Sequence, residues 1–312
     1  MAKATREAFG EALVSLAEKH PDLVVLDADL SKSTMTQAFA KKHPERHFEL
    51  GIAEQNMIGV GAGLALCGKI PVVTSFACFL VGRLETIRIA AAYNRANLKM
   101  VGTHAGLGIG EDGTSQMGLE DIGALRSLPH VVILQPADAL ETTQAVAWML
   151  EHQGPVYLRL TRQKMEDCHG PDYRFEPGRA DVVWQPPEAG HLQAAIFASG
   201  GTVPHAILAA KELWARGFAA RVVNACTLKP FDEEAVARHA QDSGRLVTVE
   251  DHNVNGGLGT AVCEAVAQRG LGIPVVRLGV RDFGESGKPE ELYDKHGLSS
   301  PHIIEACLRN LN

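Results

Sequence analysis

The sequence predicts an α/β protein of two domains, each built on a mainly parallel sheet with helices on its faces. Three observations carry this prediction. Short apolar runs alternate with helix-period stretches, a Pro- and Gly-rich break lies past the middle of the chain, and a second alternating series follows it. The 312 residues suit two domains of about 150 each, enough to bury a core in both.

The first twenty residues have helical amphipathicity and carry acidic side chains, without the unbroken apolar stretch of a signal peptide. Segments 23–27, 70–74, 99–103, 131–135 and 156–160 are brief, β-branched and bounded by turn residues, as buried strands are. Between them, 33–42, 54–67, 80–95 and 138–151 follow the helical period. That alternation gives a parallel sheet covered on both faces. From 167 to 191 the pattern stops, and Pro171, Pro177, Pro186 and Pro187 sit among glycines as in a linker. The second series has strands at 194–198, 221–223, 246–249 and 275–278, with helices at 203–216, 232–243, 258–269 and 301–310. The halves do not repeat each other.

Composition narrows the class. Hydrophobic residues at 46% and charged residues at 21% suit a soluble globular protein. A formal net charge of −7 leaves no basic stripe for nucleic acid or a membrane surface. Apolar runs stop short of the roughly 18 residues that cross a bilayer, so the expected address is the cytoplasm. Cys67, Cys78, Cys168, Cys226, Cys263 and Cys307 form no CxxC pair, and they read as free core thiols in a reducing compartment.

Two glycine-rich stretches resemble nucleotide loops and fail on context. Gly59, Gly61 and Gly63 fall inside a helix-period stretch, not between a strand and a helix start, so they read as close-packing positions. The run 106–113 lacks the Gly-Lys-Ser/Thr ending of a phosphate loop, yet holds Glu111 and Asp112 close after His104. It is either a crossing loop or part of a site. Glu54 stands where a strand's C-terminal end passes into a helix, the edge at which open α/β sheets bind ligands. Taken alone, such a residue is more often a first-turn acid placed to suit the helix dipole.

Segments in a fixed order decide between these readings. They are ATREAFG at 4–10, LDADLSKST at 26–34, GIAEQNM at 51–57, TSFACF at 74–79, GTHAGLGIGEDGTSQMGLED at 102–121, RLTR at 159–162 and VEDHNVNGGLG at 249–259. Together they resemble the transketolase family, matching the C-terminal two-thirds of animal-type members over essentially the whole chain. The resemblance implies a thiamine-diphosphate pyrimidine-binding domain at 1–170, a linker at 171–191 and a smaller C-terminal α/β domain at 192–312.

The resemblance also implies roles. Glu54 would hydrogen-bond ring nitrogen 1′ of thiamine's aminopyrimidine and favour the imino form, whose 4′ nitrogen removes the proton from the reactive carbon. Phe76 and Phe79 match aromatics that pack on that ring, although two phenylalanines three apart are ordinarily core. Asp29 matches an acid near the thiazolium. Arg6, Ser33, His104 and Arg162 match the ligands of a sugar phosphate, and their chemistry suits it: two forked guanidiniums, a hydroxyl and an imidazole. Asp112 matches the acceptor of a substrate hydroxyl. Gln116 stands where some members carry His, so it keeps a donor role towards the two-carbon unit but not proton shuttling. The 249–252 stretch, with two acids and one His, lacks metal-ligand spacing and reads as structural or interface residues.

The chain has no Gly-Asp-Gly, the motif through which the family holds the cofactor's diphosphate and its Mg2+ or Ca2+. The expectation is that a separate, N-terminal-type subunit supplies both, in an α2β2 assembly with copies of this chain self-associated and cofactors at the interfaces. Two alternatives remain at this stage. One is the beta subunit of a 2-oxo acid dehydrogenase, or a deoxyxylulose-phosphate-synthase-like enzyme. The other is a non-catalytic partner-binding module. The sugar, and whether its route is pentose-phosphate or a specialised catabolic one, is open.

Overall fold

The computed structural model describes residues 2–187 and 190–309. Its first strands are β1 (Lys3–Ala4), β2 (Leu23–Asp27), β3 (His47–Glu49), β4 (Ile70–Phe76), β5 (Lys99–Thr103), β6 (Val132–Leu134) and β7 (Val156–Arg159). After them come β8 (Lys164–Met165), β9 (Asp181–Trp184), β10 (Ala194–Ala198), β11 (Ala220–Asn224), β12 (Thr227–Lys229), β13 (Leu246–Asn253) and β14 (Val275–Val280). Seven strands form one sheet in the order β12-β6-β7-β5-β4-β2-β3, and five form a second, β14-β13-β10-β11-β9. Each sheet is parallel except for one edge strand, β12 in the first and β9 in the second. β1 and β8 pair as a small ribbon.

The central strands are buried along their whole length because helices cover both faces. On one face, Phe9 and Leu13 of the helix Thr5–Leu16 and Val146 and Met149 of Ala139–Glu151 meet Val25, Val72 and Val101. On the other, Met57 and Ile58 of the helix Glu54–Leu66 share a core with Leu26, Val73 and Met100.

Several expected elements differ. The helix expected at 33–42 is two, Ser31–Thr34 and Gln37–Lys42, with Met35 between them at φ 69°. The cause is Asp27: Thr34 and Thr36 both turn inwards and donate to its carboxylate, at 2.9 and 2.6 Å. The stretch 80–95 divides into Ala77–Val81, Leu84–Thr86 and a π-helical segment, Ile87–Tyr93, with the first break at Gly82, a weak helix former. The span expected as a linker contains β9, which pairs with β11; its positions 188 and 189 lie outside the described residues. The last helix is Ser300–Leu308, and position 310 of its expected range also lies outside them.

β12 was not expected at all. Two residues after β11 leaves the second sheet, the chain crosses to pair with β6 at the edge of the first. β13 continues past 249 to Asn253, because its polar end is buried. There Glu250 accepts from the Leu258 and Gly259 amides, and His252 Nε2 accepts from Gly123 N–H at 3.2 Å.

Candidate active site

The C-terminal ends of β2, β4, β5 and β7 come out along one edge of the larger sheet, the edge where such sheets bind ligands. Glu54 opens its helix and is only 5% exposed. Ser75, near the end of β4, donates to Glu54 Oε1 at 3.0 Å. Oε2 has no hydrogen-bond partner among the described residues. Phe76 ends the strand. Its ring stacks on half-buried Phe79 at 5.6 Å between centroids, and on His104 at 3.8 Å.

His104 follows β5 with φ 56°. Arg6 Nη1 lies 3.0 Å from its Nε2, and since a guanidinium only donates, Nε2 must accept. The ring hydrogen therefore sits on Nδ1, 2.9 Å from Thr103 Oγ1. Burial, with Arg6 and Arg162 adding repulsion, pushes the imidazole pKa down to about 3. It is neutral. Burial and Arg162 likewise lower the pKa of Arg6, which also donates to Ser33 O at 2.7 Å. Two guanidiniums that repel each other beside a neutral imidazole favour an anion between them.

Arg162 donates to Ile109 O at 2.8 Å and pairs with Asp112 at 3.4 Å. Asp29, at φ 60°, is exposed; its amide donates to Glu49 Oε1 at 2.7 Å. Gln116 ends the short turn Thr114–Gln116, half-buried, and its side chain makes no hydrogen bond among the described residues. Thus Glu54, Phe76, Phe79, His104, Arg6 and Ser33 form one connected group and Arg162 with Asp112 a second, joined to it by charge. Asp29 and Gln116 are joined to neither by a hydrogen bond or ion pair among the described residues. Ser75 and Thr103 were missed from the sequence, although Ser75 lies within the quoted 74–79 segment.

The group fits an aminopyrimidine. A buried carboxyl with one oxygen anchored and the other unpartnered suits a ring nitrogen, and stacked phenylalanines suit a flat ring. Metal-ligand proximity occurs where residues 168–181 meet the start of the helix Ala139–Glu151: Asp138, Cys168 and His169 form one grouping and Glu141, His169 and Asp181 another. Sequence spacing gave no sign of it. Hydrogen bonds account for this geometry: His169 Nδ1 and Nε2 donate to Asp138 and Asp181, at 2.8 and 3.1 Å.

Residues 1–167 match the family described as transketolase, pyrimidine binding domain, and residues 189–303 match transketolase, C-terminal domain. The chain is 41% identical over 99% of its length to the transketolase C-terminal section of Methanocaldococcus jannaschii, covering 96% of that protein. It is 38% identical over 97% of its length to the 6-deoxy-6-sulfo-D-fructose transketolase subunit SqwH of a Clostridium species, covering 92% of it. Mouse transketolase-like protein 2 is 40% identical over 97% of this chain, which spans 48% of that protein. A solved split-gene transketolase, an inactive beta4 tetramer, matches with a TM-score of 0.88 at 44% identity, covering 99% of this chain and 98% of that one. The chain belongs to the transketolase family, as the C-terminal, beta-type subunit of a split, thiamine-diphosphate-dependent transketolase.

Proposed function

We propose that this subunit acts with a separately made diphosphate-binding subunit to transfer a two-carbon ketol group reversibly from a ketose phosphate to an aldose phosphate. The observation that carries this is the Ser75-anchored Glu54 beside Phe76, with Arg6, His104 and Arg162 gathered at the adjoining strand ends. When bound, thiamine diphosphate supplies the nucleophilic carbon. Glu54 holds a hydrogen at ring nitrogen 1′, and Phe76 and Phe79 cover the ring and exclude water. Arg6, Ser33, His104 and Arg162 hold the sugar's anionic end. Asp112 accepts a hydroxyl of the substrate, Gln116 donates to the two-carbon unit, and Asp29 faces the thiazolium side.

The diphosphate and its Mg2+ or Ca2+ belong, in this reading, to the partner subunit, because the chain has no Gly-Asp-Gly. The assembly is α2β2, cytoplasmic, with cofactors at subunit interfaces. Residues 1–170 form the pyrimidine-binding domain and 192–312 the C-terminal domain, with 171–191 joining them and giving β9 to the second sheet. The anionic end is a phosphate, whether the sugar comes from the pentose-phosphate route or another. The substrate in the name of the Clostridium relative carries a sulfonate, which the same two guanidiniums would accept.

The test is reconstitution with its diphosphate-binding subunit, thiamine diphosphate and Mg2+, assayed on paired ketose phosphates, aldose phosphates and 6-deoxy-6-sulfofructose. Transfer that Glu54→Ala abolishes supports the proposal. Turnover unaffected by that substitution, or none with any partner subunit, overturns it.

A further inference from the structure

We propose that Asp251, from the second half of the chain, is a positioning residue that sets the shape of the substrate loop 106–112 in the first half. The inference rests on the proposed function for its effect on substrate, though not for the loop geometry.

The loop has little structure of its own. It is a short 3-10 stretch, Leu107–Asp112, broken at Gly110 (φ 78°, ψ −119°), and such turns seldom hold a shape unaided. Its neighbours must supply one. Asp251, near the end of β13, is 1% exposed. Its Oδ1 accepts from the Leu107 amide at 2.7 Å and its Oδ2 from the Tyr293 hydroxyl at 2.5 Å. Tyr293, on the helix Pro289–Lys295, in turn accepts from Gln163 Nε2 at 2.7 Å. Gln163 follows Arg162, which returns to the loop through Ile109 O and Asp112.

These contacts close a ring: loop, Asp251, Tyr293, Gln163, Arg162, loop. Two of the residues proposed to read the sugar, Asp112 and Arg162, are therefore referenced to one carboxylate from the second half of the chain. The backbone that carries this carboxylate is itself held, since Arg159 Nη2 donates to the Asp251 main-chain carbonyl at 2.9 Å. The approach is too close for side chains at two loop positions: a Cβ on Gly106 would overlap the Asp251 carboxylate, and one on Gly108 the Gln163 amide. Farther along, the Thr114 hydroxyl bonds the Gly284 carbonyl, so the second half flanks the loop at both ends.

Two variants test this. Asp251→Asn offers one acceptor oxygen where two are needed, and Tyr293→Phe keeps the buried ring while breaking the circuit. In the full chain, hydrogen exchange across 106–112 should become about tenfold faster in each, the size expected for losing one bond to a charged group, with the helix Glu54–Leu66 unchanged. In the reconstituted enzyme, kcat/KM for a ketose phosphate should fall about tenfold further than that for the same ketose without phosphate, because Arg162 meets only the anionic end. Unchanged loop exchange in both variants overturns the proposal. Faster exchange with the phosphate preference intact also overturns it, because Asp251 would then only brace the fold. A parent enzyme that turns over neither sugar removes the functional reading, and the exchange result then decides the loop's dependence on Asp251.

Discussion

The Ser75 hydroxyl donates to Glu54 Oε1 across 3.0 Å, tying the end of β4 to the first turn of the preceding helix, Glu54–Leu66. A carboxyl held by one oxygen presents the other in a fixed direction. Ser75→Ala is expected to release that rotamer. In the reconstituted enzyme kcat should fall about tenfold, with about 1–3 kcal/mol lost from stability in urea as the buried acceptor goes unsatisfied. A kcat equal to that of the parent would show that Glu54 needs no second anchor.

Arg6 sets the electrostatics at His104. Replacing it with Gln removes one repelling charge and leaves burial, the larger cause of the depressed imidazole pKa, along with Arg162. The pKa should therefore rise from about 3 without reaching the ordinary value, as followed by NMR titration of the ring. KM for a phosphorylated sugar should rise in the same variant by about 10–100-fold, since a charge-assisted pair is lost.

His169 is the cation of a buried cluster. Both ring nitrogens donate to carboxylates, Nδ1 to Asp138 and Nε2 to Asp181, and against the burial that raises it, the Nδ1 bond and the Glu141 and His169 amides hold the Asp138 carboxyl below its usual range. His169→Ala leaves Asp138, fully buried, without its counter-charge. A loss of about 3–5 kcal/mol is expected from denaturant titration, the usual cost of breaking a buried pair.

His252 gives the fold a share of its acid sensitivity. Burial pushes its pKa down to about 4, with Asp121 opposing and Arg159 reinforcing. A depressed folded-state pKa contributes stability present above the unfolded value near 6.5 and lost as pH falls through 4. Its neighbour Glu250, pushed up to about 7 by burial, works the other way and loses stability as pH rises. The parent profile mixes the two, so the comparison must be made between variants. His252→Gln keeps an acceptor for the Gly123 amide, and its urea stability should drop less than the parent's between pH 7 and pH 4. Parallel profiles would refute the assignment.

The central strands were legible because a strand buried on both faces has no polar residues to interrupt its apolar run; β2, β5 and β10 lie where expected. β3, β9 and β12 were not, since each is short, partly polar and at the edge of its sheet. Thr34 and Thr36 look helical until Asp27 is known to lie beneath them. The site was legible chiefly through family segments. Glu54 alone is indistinguishable from any first-turn acid, and its support, Ser75, carries no local signal. Asp251 reads from sequence as a structural or interface residue, because the loop amide it accepts from, at Leu107, lies more than 140 positions earlier.

The crossing of β12 limits how this protein can be divided. A fragment ending at residue 170 would lack the strand that covers β6, leaving a row of bare amides and carbonyls open to any passing chain. Cutting in the Pro-rich stretch would thus yield a sticky N-terminal piece, and its solubility should return when residues 171–312 are co-expressed.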